Sequence, residues 1–209
     1  MDNTRCMVDL LQKLKKQMNG AMLDTFLLYG KKYGVSYGVS VVELRNIAKT
    51  LPKDDSLFRF LFRQQVRELR IISLFVAQSE MITPNDADFL QEGVVNSEMA
   101  ELAAKFLFCK TDCLLELLQI FLGRDEIMTY SLVMALSYCS KKYLQECSSI
   151  ILRSIESYPD SRLVAMAVTA VLDEIKKENR ALVDSVLCMM PESLSSDLIR
   201  EEMEWRLEY

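Results

Sequence analysis

Tyr29, Lys31, Lys32, Tyr33 and Tyr37 interleave aromatic rings with cations over nine positions. That mixture suits a nucleic-acid backbone, where ammonium groups meet phosphates and rings meet sugars or bases. The same pattern also fits a solvated helix end whose tyrosines turn inward. Further along, Lys105 and Lys110, then Arg124, then Lys141 and Lys142 recur at similar intervals, as a basic stripe or as ordinary solvated faces. Gly30, Gly34 and Gly38 are spaced GxxxGxxxG, but no strand precedes them and no Walker pattern surrounds them, so they read as a turn with close packing rather than a phosphate cradle. The acidic pairs Asp173-Glu174 and Glu201-Glu202 are neighbours along a helix, so their carboxylates are expected to point apart.

Other chemistry is closed off by composition. The chain has no histidine, which removes Ser-His-Asp and Cys-His nucleophile systems and most zinc hydrolase sites. The six cysteines form no CxxC and read as reduced core thiols, so neither metal nor cofactor is called for. A formal net charge of −5 counts mildly against a nucleic-acid partner, although a basic stripe on an acidic body offsets it locally.

The elements that must position these residues are helices. Six glycines and four prolines in 209 residues leave few breakers. Met7, Leu10, Leu11 and Leu14 line one face of a first helix, and a second covers roughly 21–29. Ser40 with Glu43 forms a capping box for a helix that stops before Pro52. Further helices are expected near 55–62, 63–78, 84–95, 97–108, 113–121, 125–139, 142–157, 160–175, 179–188 and 195–207, with Asp125 and Asp160 as caps and Pro84 in a first turn. Four of them share a period of 32 residues: Ile71-Ile72-Ser73-Leu74-Phe75, Ala103-Ala104-Lys105-Phe106-Leu107, Ala135-Leu136-Ser137-Tyr138-Cys139 and Ala167-Val168-Thr169-Ala170-Val171. Each is apolar nearly all round, while the helices between are amphipathic. A buried helix alternating with an outer one predicts an all-α, HEAT-like α-α superhelix of about six helix pairs with a concave groove, as one domain over 1–209. The last helix is expected to cap it. No apolar run is long enough for a bilayer and the N-terminus lacks a signal-peptide core, so a soluble, cytoplasmic monomer is expected.

The segment 29–49 carries a more specific pattern. Its tyrosine-lysine stretch, the turn Tyr37-Gly38-Val39, and Arg45 and Lys49 on the next helix resemble a hallmark of AlkD-type DNA alkylation repair proteins. Val66-Arg67-Glu68-Leu69-Arg70 resembles that family's "RE" opening of a buried helix. The resemblance implies a HEAT-like solenoid holding duplex DNA in a basic groove. Tyr29 falls where that family places a DNA-contacting tyrosine, and together with the interleaved and recurring cations the expected DNA contacts are Tyr29, Lys31, Lys32, Tyr37, Arg45 and Lys105. Active members of the family excise N3- and N7-alkylated purines with a carboxylate, an arginine and two tryptophans. Here an ungapped match places Met99 and Ala170 at the tryptophan positions, Ala103 at the aspartate and Ser131 at the arginine. The one tryptophan, Trp205, lies elsewhere. A one-turn slip brings Glu101 toward the catalytic position and makes it a candidate. Stabilising the charge that develops on the sugar requires that carboxylate. The resemblance therefore implies duplex or branched DNA as partner with weak or no excision. The alternative is a helical scaffold for a protein partner.

Overall fold

The computed structural model describes residues 2–28 and 33–208. They form thirteen α-helices with short 3-10 turns between some of them. The chain divides into two compact units, 1–102 and 103–209, the division falling within the seventh helix. No described helix is long and apolar enough to cross a membrane.

The first unit holds α1 (Asn3–Lys16), α2 (Gly20–Leu28), α3 (Val41–Ala48), α4 (Asp55–Phe62), α5 (Arg67–Val76), α6 (Ala87–Gly93) and the start of α7 (Ser97–Phe106). The starts are set by side chains that satisfy first-turn N–H groups. Asp2 accepts from Thr4 and Arg5, and Asp54 from Leu57. Ser40 and Glu43 make the expected capping box. Nine of the ten α5 residues are buried, which fits a helix apolar nearly all round. The predicted helix over 63–78 begins four residues late. Arg63 instead ends α4, and Val66 takes extended backbone to pair with another segment. The rings of Phe58, Phe62 and Phe89 cluster at centroid distances of 5.1 to 5.7 Å beside Gly93, where any Cβ would collide with the Phe62 ring.

The second unit holds the rest of α7, then α8 (Leu114–Phe121), α9 (Glu126–Cys139), α10 (Leu144–Ser157), α11 (Arg162–Lys176), α12 (Arg180–Met189) and α13 (Leu194–Glu208). Helix α11 packs on both α9 and α13, and α8, α10 and α12 flank this row. The buried members of the 32-residue repeat, α9 and α11, are thus neighbours, with amphipathic helices outside them. Asp125 caps α9 as expected, accepting from Met128 at 2.7 Å. Asp160 does not cap α11. Ser161 does, accepting from Val164 at 3.0 Å, because it is the residue with the extended backbone that an N-cap needs. Ile199 and Met203 anchor α13 in the core.

Candidate nucleic-acid interface

The two motifs behind the family resemblance meet in the first unit. Val35 and Val66 form an isolated parallel bridge: the Val35 N–H donates to the Gln65 carbonyl at 2.8 Å and the Arg67 N–H to the Val35 carbonyl at 2.9 Å. A Cβ on Gly34 would lie 2.7 Å from the Gln65 oxygen, so only glycine lets the two segments approach. Gly38 has φ +70°, and its added Cβ would strike the carbonyl of Asn19, whose own N–H donates to the Tyr37 carbonyl at 3.0 Å. The turn is therefore pinned on one side to the start of α2 and on the other to α5.

Arg67 completes the anchorage. The residue is 1% exposed, and its guanidinium donates in four directions. Nε and Nη2 reach the two carboxylate oxygens of Glu98 at 3.0 and 2.7 Å. Nη1 reaches the Val39 carbonyl at 2.9 Å and Glu68 at 3.1 Å. The Tyr33 hydroxyl donates to Glu98 at 2.6 Å, and Ser36 donates to Glu68 at 3.0 Å. Burial opposes the Arg67 charge, but Glu98 and Glu68 outweigh it and push the arginine further up. Burial, then the Glu98 charge, pushes the Tyr33 phenol well above its ordinary range, so it remains a neutral donor. Buried charges survive only when paired and hydrogen-bonded, and these are. Sequence reasoning treated Arg67-Glu68 only as a motif and overlooked Tyr33 and Glu98 as its partners. The available signal was two charges opening a helix that must otherwise be buried.

The expected contact residues fall in different settings. Tyr29, Lys31 and Lys32 lie outside the described residues. Tyr37 is half-buried and Arg45 exposed, both in the first unit. Lys105 is exposed in the second unit. The matched catalytic positions carry core side chains: Met99, Ala103 and Ser131 are each fully buried. Ala170 is half-buried. Glu101 is exposed, and two residues along a helix turn its side chain by about 200° from the buried Ala103. Trp205 is 64% exposed on α13.

In the second unit the repeat aligns a row of side chains that sequence reasoning had not recognised as a site. The polar position of each repeat unit is Lys105, Ser137 and Thr169 in turn. Ser137 and Thr169 line a cavity of about 620 Å³ between α9, α11 and α13. Its apolar wall includes Met134, Met166, Ala170 and Leu198, and Tyr138 stands at its side. The Lys105 ammonium lies 5.9 Å from the centre of the Tyr138 ring, itself 49% exposed, a cation–aromatic contact.

Asp173, Glu174 and Glu202 also line the cavity. Each is matched by a cation of the same unit: Asp173 by Lys176 and Arg206, Glu174 by Lys177, Glu202 by Arg206. Lys105 and Arg162 have no carboxylate partner among the described residues, and Arg162 is part of the lining. Lys141 and Lys142 pair with Glu178 and Asp112, so the basic stripe is partly consumed by internal pairs. All six cysteines are free thiols. Burial pushes Cys139 up to about 11 and Cys147 up to about 12, which leaves them protonated and unreactive near neutrality. No three of His, Cys, Asp and Glu converge as metal ligands among the described residues.

No protein-family model matches the chain, and no curated protein matches it by sequence. A solved structure does resemble it. That protein is described as representing a new family of proteins related to the HEAT-like repeat DNA glycosylases with affinity for branched DNA structures. The two share 12% sequence identity and a TM-score of 0.71, over 99% of this chain and 95% of that one. A likeness over nearly the whole length of both chains, at an identity too low to fix a function, establishes that this chain has a HEAT-like repeat helical fold.

Proposed function

We propose that the chain binds DNA, favouring branched or otherwise distorted DNA over plain duplex, and that it excises alkylated bases weakly or not at all. The observation that carries the proposal is the full-length likeness to a protein with affinity for branched DNA. Lys105, unpaired with any carboxylate and set against an exposed tyrosine, supplies the charge and ring such a ligand needs. Tyr29, Lys31, Lys32, Tyr37 and Arg45 are the proposed contacts of the first unit. Weak or absent excision follows from chemistry. With Met99, Ala103 and Ser131 in the core, no carboxylate or guanidinium at those positions meets a sugar or phosphate. In this proposal the chain acts as a single monomeric domain over 1–209 in the cytoplasm, within DNA alkylation repair.

The test is fluorescence anisotropy with a labelled four-way junction and a matched duplex, between about 50 and 200 mM salt. Affinity for the junction should exceed that for the duplex and fall steeply with salt, as counterion release requires. Substituting Lys105→Glu should weaken both. A second proposal, a scaffold for a protein partner, is favoured by the net charge of −5. Salt-independent or undetectable DNA binding would favour it.

A further inference from the structure

The cavity of the second unit differs chemically from a surface that only tracks a DNA backbone. It is about 620 Å³, within the roughly 300–1,000 Å³ of small-molecule sites. Its apolar side chains Met134, Met166, Ala170 and Leu198 suit a flat ring, and Tyr138 offers an exposed aromatic face beside them. Its carboxylates are neutralised by Lys176, Lys177 and Arg206, so they do not repel an anion as isolated charges would. Arg162, at the start of α11, lines the cavity, and Lys105 lies against the ring of the lining residue Tyr138; neither has a carboxylate of its own among the described residues. An apolar slot with an aromatic wall, one such cation in its lining and a second against that aromatic ring matches a molecule with a flat ring and flanking negative charge.

We propose that this cavity receives an unpaired nucleobase from a branch point or bulge, stacked on Tyr138, with Lys105 and Arg162 holding the adjoining phosphates. The inference rests on the DNA-binding proposal above and deepens it, naming the feature of branched DNA that is recognised. Fully paired duplex keeps its bases stacked and has none to offer, whereas a junction or bulge gives one up at a small unstacking cost. Base–aromatic stacking tolerates any sequence, so recognition is by structure rather than by base identity. Ser137 and Thr169 donate their hydroxyls to the Met134 and Ala165 carbonyls at 2.7 and 2.9 Å, leaving their oxygens to accept from the ligand. Asp173 and Glu174, held by their cations, can accept from exocyclic amino groups.

The experiment uses the full chain and three labelled DNAs: a plain duplex, the same duplex with one bulged 2-aminopurine, and a four-way junction. Wild type is compared with Tyr138→Ala, Tyr138→Phe, Lys105→Gln and Arg162→Gln, each first checked for unchanged thermal unfolding. Wild type and Tyr138→Phe should change the 2-aminopurine emission on binding. Tyr138→Ala should abolish that change and weaken the bulged DNA by about 5- to 100-fold, a larger loss than it causes on the plain duplex. Lys105→Gln and Arg162→Gln should each lower the salt slope by about one. If wild type binds the DNAs but Tyr138→Ala matches it on bulged DNA in affinity and emission, the cavity proposal is wrong and DNA binds elsewhere. If wild type binds none of the three, the DNA-binding proposal falls and the cavity assignment falls with it.

Discussion

Replacing Glu98 with alanine tests whether the motif turn is held by the buried Arg67 network. The side chains of Arg67 and Glu98 are 2% and 13% exposed. Alanine removes both charge-assisted bonds, at 3.0 and 2.7 Å, and leaves a guanidinium buried. Breaking a buried pair from one side costs about 3–5 kcal/mol. Arg67 keeps Glu68 at 3.1 Å and the Val39 carbonyl at 2.9 Å, which places its loss near the lower end. Tyr33 also loses an acceptor at 2.6 Å but keeps Asn96 at 3.2 Å, adding about 0.5–1 kcal/mol. The sum is a destabilisation of about 3–4 kcal/mol. Urea unfolding of the full chain followed by far-ultraviolet circular dichroism reads it. The paired substitution Arg67→Met with Glu98→Met should cost less than the two single changes added, by about 1–3 kcal/mol. It should not reach neutrality, because Glu68 then remains buried with Ser36 as its remaining bond partner. A loss below about 1 kcal/mol for Glu98→Ala, the value of an exposed pair, would refute the reasoning.

Three further outcomes are expected. The native Tyr33 phenol holds its proton above about pH 10, where the unfolded chain releases it, so stability falls as pH rises past about 10. In Tyr33→Phe the alkaline slope should flatten by up to about 1.4 kcal/mol per pH unit, measured as urea midpoints between about pH 9 and 11; an unchanged slope would contradict the assignment. Gly38→Ala combines a left-handed backbone with a collision against the Asn19 carbonyl and should destabilise by about 2 kcal/mol or more in the same assay. Ala103→Asp, which restores a carboxylate at the matched catalytic position, should destabilise by about 3 kcal/mol or more and release no alkylated purine, because the position is fully buried. Appreciable base release from that variant would show that Ala103 faces a ligand.

The helices were legible because they depend on local signals. Ser40 with Glu43, Asp125 and the bounds of α4 follow from capping chemistry and 3.6-residue periodicity, and the structure reproduces them. The 32-residue period also marked α5, α9 and α11 as buried helices. The start of α5 was misread because Val66 pairs with Val35, thirty-one positions away, and such a bridge leaves no local mark. The capping of α11 was misread by one residue, since Asp160 and Ser161 are both good caps and backbone geometry chooses between them. Site geometry was the least legible. The repeat fixes where Lys105, Ser137 and Thr169 fall in the sequence but marked none of them as a site, and Tyr138 matters only because α7 and α9 bring Lys105 to it. Which cations remain unmatched depends on pairs such as Lys142 with Asp112, thirty positions apart, and those appear only once the chain is folded.

The central claim is that a HEAT-like chain without glycosylase side chains still binds DNA and prefers branched forms. The most direct measurement is one titration of wild-type protein into equal amounts of differently labelled four-way junction and duplex at about 100 mM salt, followed by assay of the same mixtures for released methylated purines from alkylated DNA. The account predicts saturable, salt-sensitive junction binding, weaker duplex binding and base release no faster than the buffer background. Equal affinity for both DNAs, or release well above background, would contradict it.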